Sequence, residues 1–157
     1  MDVVATRGYE FVREIRDEDY RLLLSASVPF CDLAIIVVPP ERRDGSAEVV
    51  EALRPFLRLH EFMSEAWPGT VSWSDPAWIY WLDYSAEAAA ALGELANGLY
   101  DWESNSGRPE DLALLCEDGR QFLTSVAHER ASWMWLTDNE YNKLCEQVPG
   151  LGSVLRA

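Results

Sequence analysis

Glu110-Asp111-Leu112-Ala113-Leu114-Leu115-Cys116-Glu117-Asp118-Gly119-Arg120-Gln121-Phe122-Leu123-Thr124-Ser125-Val126 holds two apolar runs joined at Asp118-Gly119. Asp-Gly in such a setting is a strong hairpin signal, because a type I′ turn needs φ > 0 at both central residues. A two-residue loop sets Glu117 opposite Arg120, Cys116 opposite Gln121, Leu115 opposite Phe122 and Leu114 opposite Leu123. Glu117 and Arg120 then form an opposite-charge cross-strand pair. One face carries Leu112, Leu114, Cys116, Leu123 and Ala127, the other Ala113, Leu115, Phe122 and Val126. Two apolar faces place both strands inside a sheet rather than at a solvated edge.

A polar turn, His128-Glu129-Arg130, leads into Ser132-Trp133-Met134-Trp135-Leu136, so the expectation is a three-stranded antiparallel meander. Thr137-Asp138-Asn139-Glu140 is a capping box, with Leu136 and Tyr141 placed as a hydrophobic staple. The helix it starts should run to about Gln147 and stop before Pro149-Gly150, leaving 150–157 as a loosely held tail.

Upstream, Tyr9–Ile15 reads as a first strand, and Asp17 as the cap of a short helix with Tyr20, Leu23 and Leu24 inside. Asp32–Val38 is a β-branched run with two apolar faces, a central strand ended by Pro39-Pro40. After a polar loop at Glu41–Gly45, Ser46 caps a helix with Val49, Leu53, Phe56, His60, Met63 and Trp67 on one stripe, kinked or split at Pro55. Val71–Pro76 reads as loop or a ragged strand entry, Ala77–Leu82 as a strand, and Ser85 as the cap of an alanine-rich helix. The inner stripe of that helix is Ala88, Leu92, Leu95, Leu99 and Trp102, and Asp101–Pro109 is a loop. The sum is an α+β fold: a single domain over residues 1–157, with a mixed sheet of about five or six strands and helices mostly on one face.

The 157 residues are 48% hydrophobic, enough for a packed core, and no apolar run reaches the ~20 residues of a membrane span. The N-terminus lacks a signal-peptide layout, which makes the cytoplasm the default. Cys31, Cys116 and Cys145 are odd in number and widely spaced, the pattern of reduced, buried thiols. Against 27 acidic residues stand 13 basic ones, a net charge of −14. Direct nucleic-acid binding needs a basic footprint that is lacking here, whereas an acidic surface favours solubility or a basic protein partner.

No phosphate-binding glycine loop, nucleophile elbow or zinc-protease motif occurs, so the sequence calls for no cofactor and no metal. His128-Glu129-Arg130 is the best polar cluster. It reads either as a solvated turn or as a hydrolase-like site in which His128 is a base oriented by Glu129 or Asp111, or paired with the thiol of Cys31 or Cys116. Seven tryptophans suit a tryptophan-rich core, with some rings left outside as interface residues. Asp101, Trp102, Glu103, Glu110, Asp111, Glu129 and Trp133 are the candidate partner-binding set.

The acidic composition, together with the Glu-Asp-Gly hairpin followed by a tryptophan strand, resembles bacterial polymorphic-toxin immunity proteins over Glu110–Tyr141. That resemblance implies a cytosolic, non-enzymatic protein that neutralises a toxin, such as a nuclease, by covering its active surface. A second expectation is an inhibitor that imitates nucleic acid, like a phage anti-defence protein, with Glu10, Glu14, Asp17, Glu18 and Asp19 as its strip of charge. The oligomeric state is open.

Overall fold

The computed structural model describes residues 4–64, 66–71 and 75–157, without the side chains of residues 62–64 and 71. Trp73, and the side chain of Met63, therefore lie outside the described residues. In chain order the elements are β1 (Arg7–Phe11), α1 (Asp17–Ala26), β2 (Leu33–Val38), α2 (Arg43–Leu53), β3 (Leu57–Ser64), β4 (Ala66–Trp67) and β5 (Thr70–Val71). They continue with β6 (Ala77–Asp83), α3 (Ala86–Leu95), β7 (Glu110–Leu115), β8 (Gln121–Val126), β9 (Ala131–Leu136), α4 (Asp138–Gln147), α5 (Leu151–Val154) and β10 (Leu155–Arg156).

Among the described residues eight strands make one sheet in the order β10-β1-β9-β8-β7-β2-β6-β3, and β4 pairs with β5 in a separate hairpin. The fold is α+β as expected. The sheet is larger than the five or six strands expected, and its pairings are antiparallel rather than mixed. The meander β7-β8-β9 lies inside it, and β2, apolar on both faces, is central and buried along Ala34–Val38.

Alternation along the strands splits the interior in two. Ile36, Leu82, Leu114, Leu123 and Met134 face a large core with Tyr20, Leu23, Leu24, Leu53, Leu92 and Leu144, contributed by α1 to α4. Ile35, Val37, Ile79, Ala113 and Leu115 form a smaller cluster on the other face, joined by Trp67 of the β4-β5 hairpin. The helices thus cover one face and the hairpin part of the other. The hairpin sits close: at Gly69, φ is +84°, and an added Cβ would lie 2.8 Å from the Thr124 methyl and 2.9 Å from a Val126 methyl. Gly69→Ala combines left-handed strain with that collision. It is expected to cost about 2 kcal/mol in chemical denaturation; a change below about 0.5 kcal/mol would show that the hairpin is not seated on the sheet.

The turn at Asp118-Gly119 differs from the expectation. Cys116 N donates to Arg120 O and Gly119 N to Cys116 O, at 2.9 Å each, so three residues form the loop. Gly119 alone takes positive φ, at 86°, and Asp118 stays at negative φ, its carboxylate accepting from Arg120 N at 2.9 Å. A type I turn ending in a left-handed glycine satisfies these bonds where type I′ would not. Leu115 therefore pairs with Gln121, yet a second irregularity restores Leu114 opposite Leu123. Phe122 consequently joins the helical-side core rather than the opposite face. Glu117 is not opposite Arg120; the arginine has another partner, Glu140.

Around the meander the capping box is present in full, with α4 ending at Gln147. Ser85 caps α3 by accepting from Ala88 N at 3.1 Å. Neither Asp17 nor Ser46 caps a helix: α1 opens with Asp17 at φ +56°, and α2 begins ahead of Ser46, which lies buried within it. The helix expected through Trp67 ends at Leu53. Pro55, which has no N–H to donate, sits in a 3-10 turn, and the chain continues as edge strand β3. Residues 150–157 are not a loose tail, because Leu151 and Val154 are buried and β10 pairs with β1 at Phe11↔Leu155.

Candidate functional site

The ends of β2 and β8 and the starts of β6 and β7 meet at one end of the sheet, where an open groove of about 510 Å³ lies. Glu41, Asp75, Glu110 and His128 line it, with Trp67 and Thr70 from the hairpin, and among the described residues no lysine or arginine does. Glu41 and Asp75 are exposed and in no ion pair among the described residues, while Glu110 accepts a hydrogen bond from the Ser104 hydroxyl. Six carboxylates elsewhere are held in ion pairs, Glu14 and Asp101 by Arg16, Asp32 and Asp83 by Arg58, Glu51 by Arg54 and Glu140 by Arg120, while others such as Glu18, Asp44 and Glu117 are exposed like those of the groove. The groove keeps its negative charge.

Beneath it, Asp111 organises the site. The β2-β7 register shifts between Ile35 and Val37, giving β7 one extra residue, and Asp111 takes φ +56° within that bulge. Such a bulge re-aims a side chain. The Asp111 carboxylate accepts from Ala127 N at 3.0 Å and from Trp67 Nε1 at 3.1 Å. It thereby ties the β8-β9 turn and the outer hairpin to β7. Burial raises its pKa above the ordinary carboxylate value, and the two hydrogen bonds only partly counter that.

The seven candidate partner-binding residues divide. Glu110 lines the groove, and Glu129 is exposed beside it, 3.8 Å from His128. Asp111 is 2% exposed, so it shapes the site from below and is not itself a contact residue. Trp102 is fully buried and donates to Tyr20 Oη at 2.9 Å, which corrects its assignment to the surface. Asp101 is bound by Arg16 and by Asn97 N; burial would raise its pKa, but these bonds hold it below the ordinary value. Glu103 accepts from Asn105 at 3.3 Å in the same loop, away from the groove lining. Trp133 is half-buried on the outer face, where Trp135, not selected from the sequence, is the more exposed ring at 45%. The groove residues missed by sequence reasoning are Glu41 and Asp75, which lie in flanking loops far from Glu110 in sequence.

The arrangement bears on the other expectations too. Cys31 and Cys116 are buried as neighbours at the turn end of the β7-β8 hairpin, and burial pushes the Cys31 thiol far up. His128 is at the opposite end of that hairpin, roughly 20 Å of strand away. No cysteine–histidine dyad forms. The Asp111 oxygens accept from Ala127 N and Trp67 Nε1, and among the described residues no hydrogen bond joins Asp111 to His128. The charge strip Glu10–Asp19 is interrupted, because Glu14 accepts from Arg16 at 2.9 Å and from Tyr100 N at 3.0 Å. His60, expected among core side chains of a helix, is exposed on β3.

Among the described residues no cluster of His, Cys, Asp or Glu is placed to hold a metal ion, and no helix is long and apolar enough to cross a membrane. The chain matches no known family model, and comparisons with curated proteins and with solved structures find no match.

Proposed function

We propose that this is a small acidic binding protein that docks a basic surface of a partner protein and blocks it, in the manner of an immunity protein neutralising a toxin. The observation that carries the reading is the groove of Glu41, Asp75 and Glu110, lined by no lysine or arginine among the described residues. Three carboxylates at the mouth of a concave surface attract a lysine or arginine side chain, and an arginine gains paired charge-assisted hydrogen bonds. The half-buried Trp67 gives the aliphatic stem of such a side chain an apolar wall. Net charge of −14 adds a long-range field that speeds encounter with a cationic protein.

The test is affinity capture from the source organism at two salt concentrations. A basic protein retained at about 50 mM salt and released at about 500 mM is expected, since exposed charges more than a Debye length apart are then screened. Retention of an acidic or neutral partner unaffected by salt would contradict the reading.

A further inference from the structure

On the helical face of the sheet, away from the acidic groove, α2 closes a cavity beneath edge strand β3. Ile36, Val50, Leu53, Leu57 and Leu82 give it apolar walls, and Arg43, Arg54, His60 and Tyr80 also line it. This chamber has a volume of about 110 Å³ and adjoins another of about 190 Å³ that shares Arg43, Val50, Arg54 and Tyr80 and adds Glu51, the partner of Arg54. A cavity of about 150 Å³ lined by aliphatic side chains takes up benzene, so the space suits one ring or a short alkyl chain.

The polar groups set the sign of the ligand. Arg54 is engaged by Glu51 at 2.8 Å. Arg43 has no carboxylate partner among the described residues; its guanidinium lies over the Trp78 ring at 4.7 Å. The His60 ring is 5.4 Å from that of Trp78 and 5.7 Å from that of Tyr80, so His60 and Tyr80 line the cavity beside Arg43 and Trp78 backs the guanidinium. On a chain of charge −14, an arginine without a counter-ion beside an apolar hole is the reverse of the surrounding surface. A cationic ligand would be repelled by Arg43, and a bare inorganic anion would lose hydration to the aliphatic wall without return.

We infer that this cavity binds a small organic carboxylate, its ring or short chain against Val50, Leu53 and Leu82 and its head group on Arg43. The site is independent of the acidic groove and of whatever protein the groove engages. The guanidinium supplies charge-assisted hydrogen bonds, and apolar burial supplies the rest.

Benzoate titrated into the ¹⁵N-labelled full chain tests the assignment, with benzyl alcohol as a neutral match and hexanoate as the aliphatic form. Saturable amide shifts are expected around Arg43, Leu57, His60 and Tyr80. Benzyl alcohol should bind at least about tenfold more weakly than benzoate, because it lacks the charge that Arg43 recognises. Arg43→Ala and Arg43→Gln, both at an exposed position, should each weaken benzoate about tenfold while Arg7→Ala leaves it unchanged. The inference is overturned by the lack of any saturable shift below about 10 mM of either carboxylate. It is equally overturned by benzyl alcohol binding as tightly as benzoate, or by Arg43 variants that bind benzoate like the parent.

Discussion

Arg120→Ala is expected to destabilise the protein by about 3 kcal/mol, roughly 6–12 °C in Tm for a chain of this size. Arg120 holds Glu140 in two hydrogen bonds, 2.7 and 3.1 Å, and donates to Trp135 O at 2.6 Å. It thereby joins the β7-β8 turn, the end of β9 and the first turn of α4. Glu140 is only 7% exposed and also accepts from Thr137 N at 2.7 Å as part of the capping box. Removing the guanidinium leaves that carboxylate buried with one backbone donor, which is why the loss exceeds that of a surface ion pair. Glu140→Ala should cost less, since the freed arginine can turn to solvent. The double variant should show a coupling above about 1 kcal/mol. Additive costs would mean that the pair contributes no more than its packing.

The same pair fixes a pH dependence. Burial would raise the Glu140 carboxyl, but Arg120 and Thr137 outweigh it and hold the group below its ordinary value of 4.5. A depressed folded-state pKa gives stability that is fully present above the unfolded value and is lost as pH falls through the folded one. The parent protein should therefore weaken on acidification below pH 4.5, and Arg120→Ala should flatten that limb. A parallel acid limb in parent and variant would contradict the assignment.

Asp111→Ala is expected to cost about 3 kcal/mol for a different reason. The substitution strands Ala127 N–H and Trp67 Nε1–H, at about 1–3 kcal/mol for each buried donor. It also puts alanine at φ +56°, where aspartate is better tolerated. Asp111→Asn keeps an acceptor and the left-handed backbone, and should lose about half as much. Because burial raises the Asp111 pKa, its proton-linked contribution is fully present below the unfolded value and is lost as pH rises through the folded one, the opposite sense to Glu140. Asp111→Asn should remove that slope. Chemical denaturation across pH measures both effects, and a variant within about 0.5 kcal/mol of the parent would remove Asp111 from its structural role.

Local chemistry with one solution was legible in the sequence. Thr137 and Glu140 specify a capping box wherever they stand, and the two-faced apolar run at Leu33–Val38 has nowhere to go but the sheet interior. Legibility failed where two periods compete. Val49, Leu53 and Phe56 keep helical spacing, but Leu57-Arg58-Leu59-His60 after Pro55 also alternates, and the proline lets the strand period win. The turn at Asp118-Gly119 failed differently: one glycine at positive φ suffices for a three-residue loop, and Arg120 finds Glu140 rather than Glu117.

At the site, Glu110 and Glu129 stood out by charge, whereas Glu41 and Asp75 reach the groove only through the order of β2, β6 and β7, which no local pattern encodes. Trp102 reads two ways in the sequence, as the end of an inner helical stripe and as an interface ring in a polar loop. The structure buries it fully on Tyr20, whose hydroxyl passes the bond on to Leu92 O at 2.9 Å.

The sharpest test of the acidic groove is capture of the partner with the parent chain and with Glu41→Gln/Asp75→Asn/Glu110→Gln side by side at low salt. All three substitutions keep side-chain volume and polarity, so a folded triple variant isolates charge. The expected result is a basic protein bound by the parent and bound at least about tenfold more weakly by the triple variant, through slower association. Equal binding by both chains would show that the groove is not where this protein meets its partner.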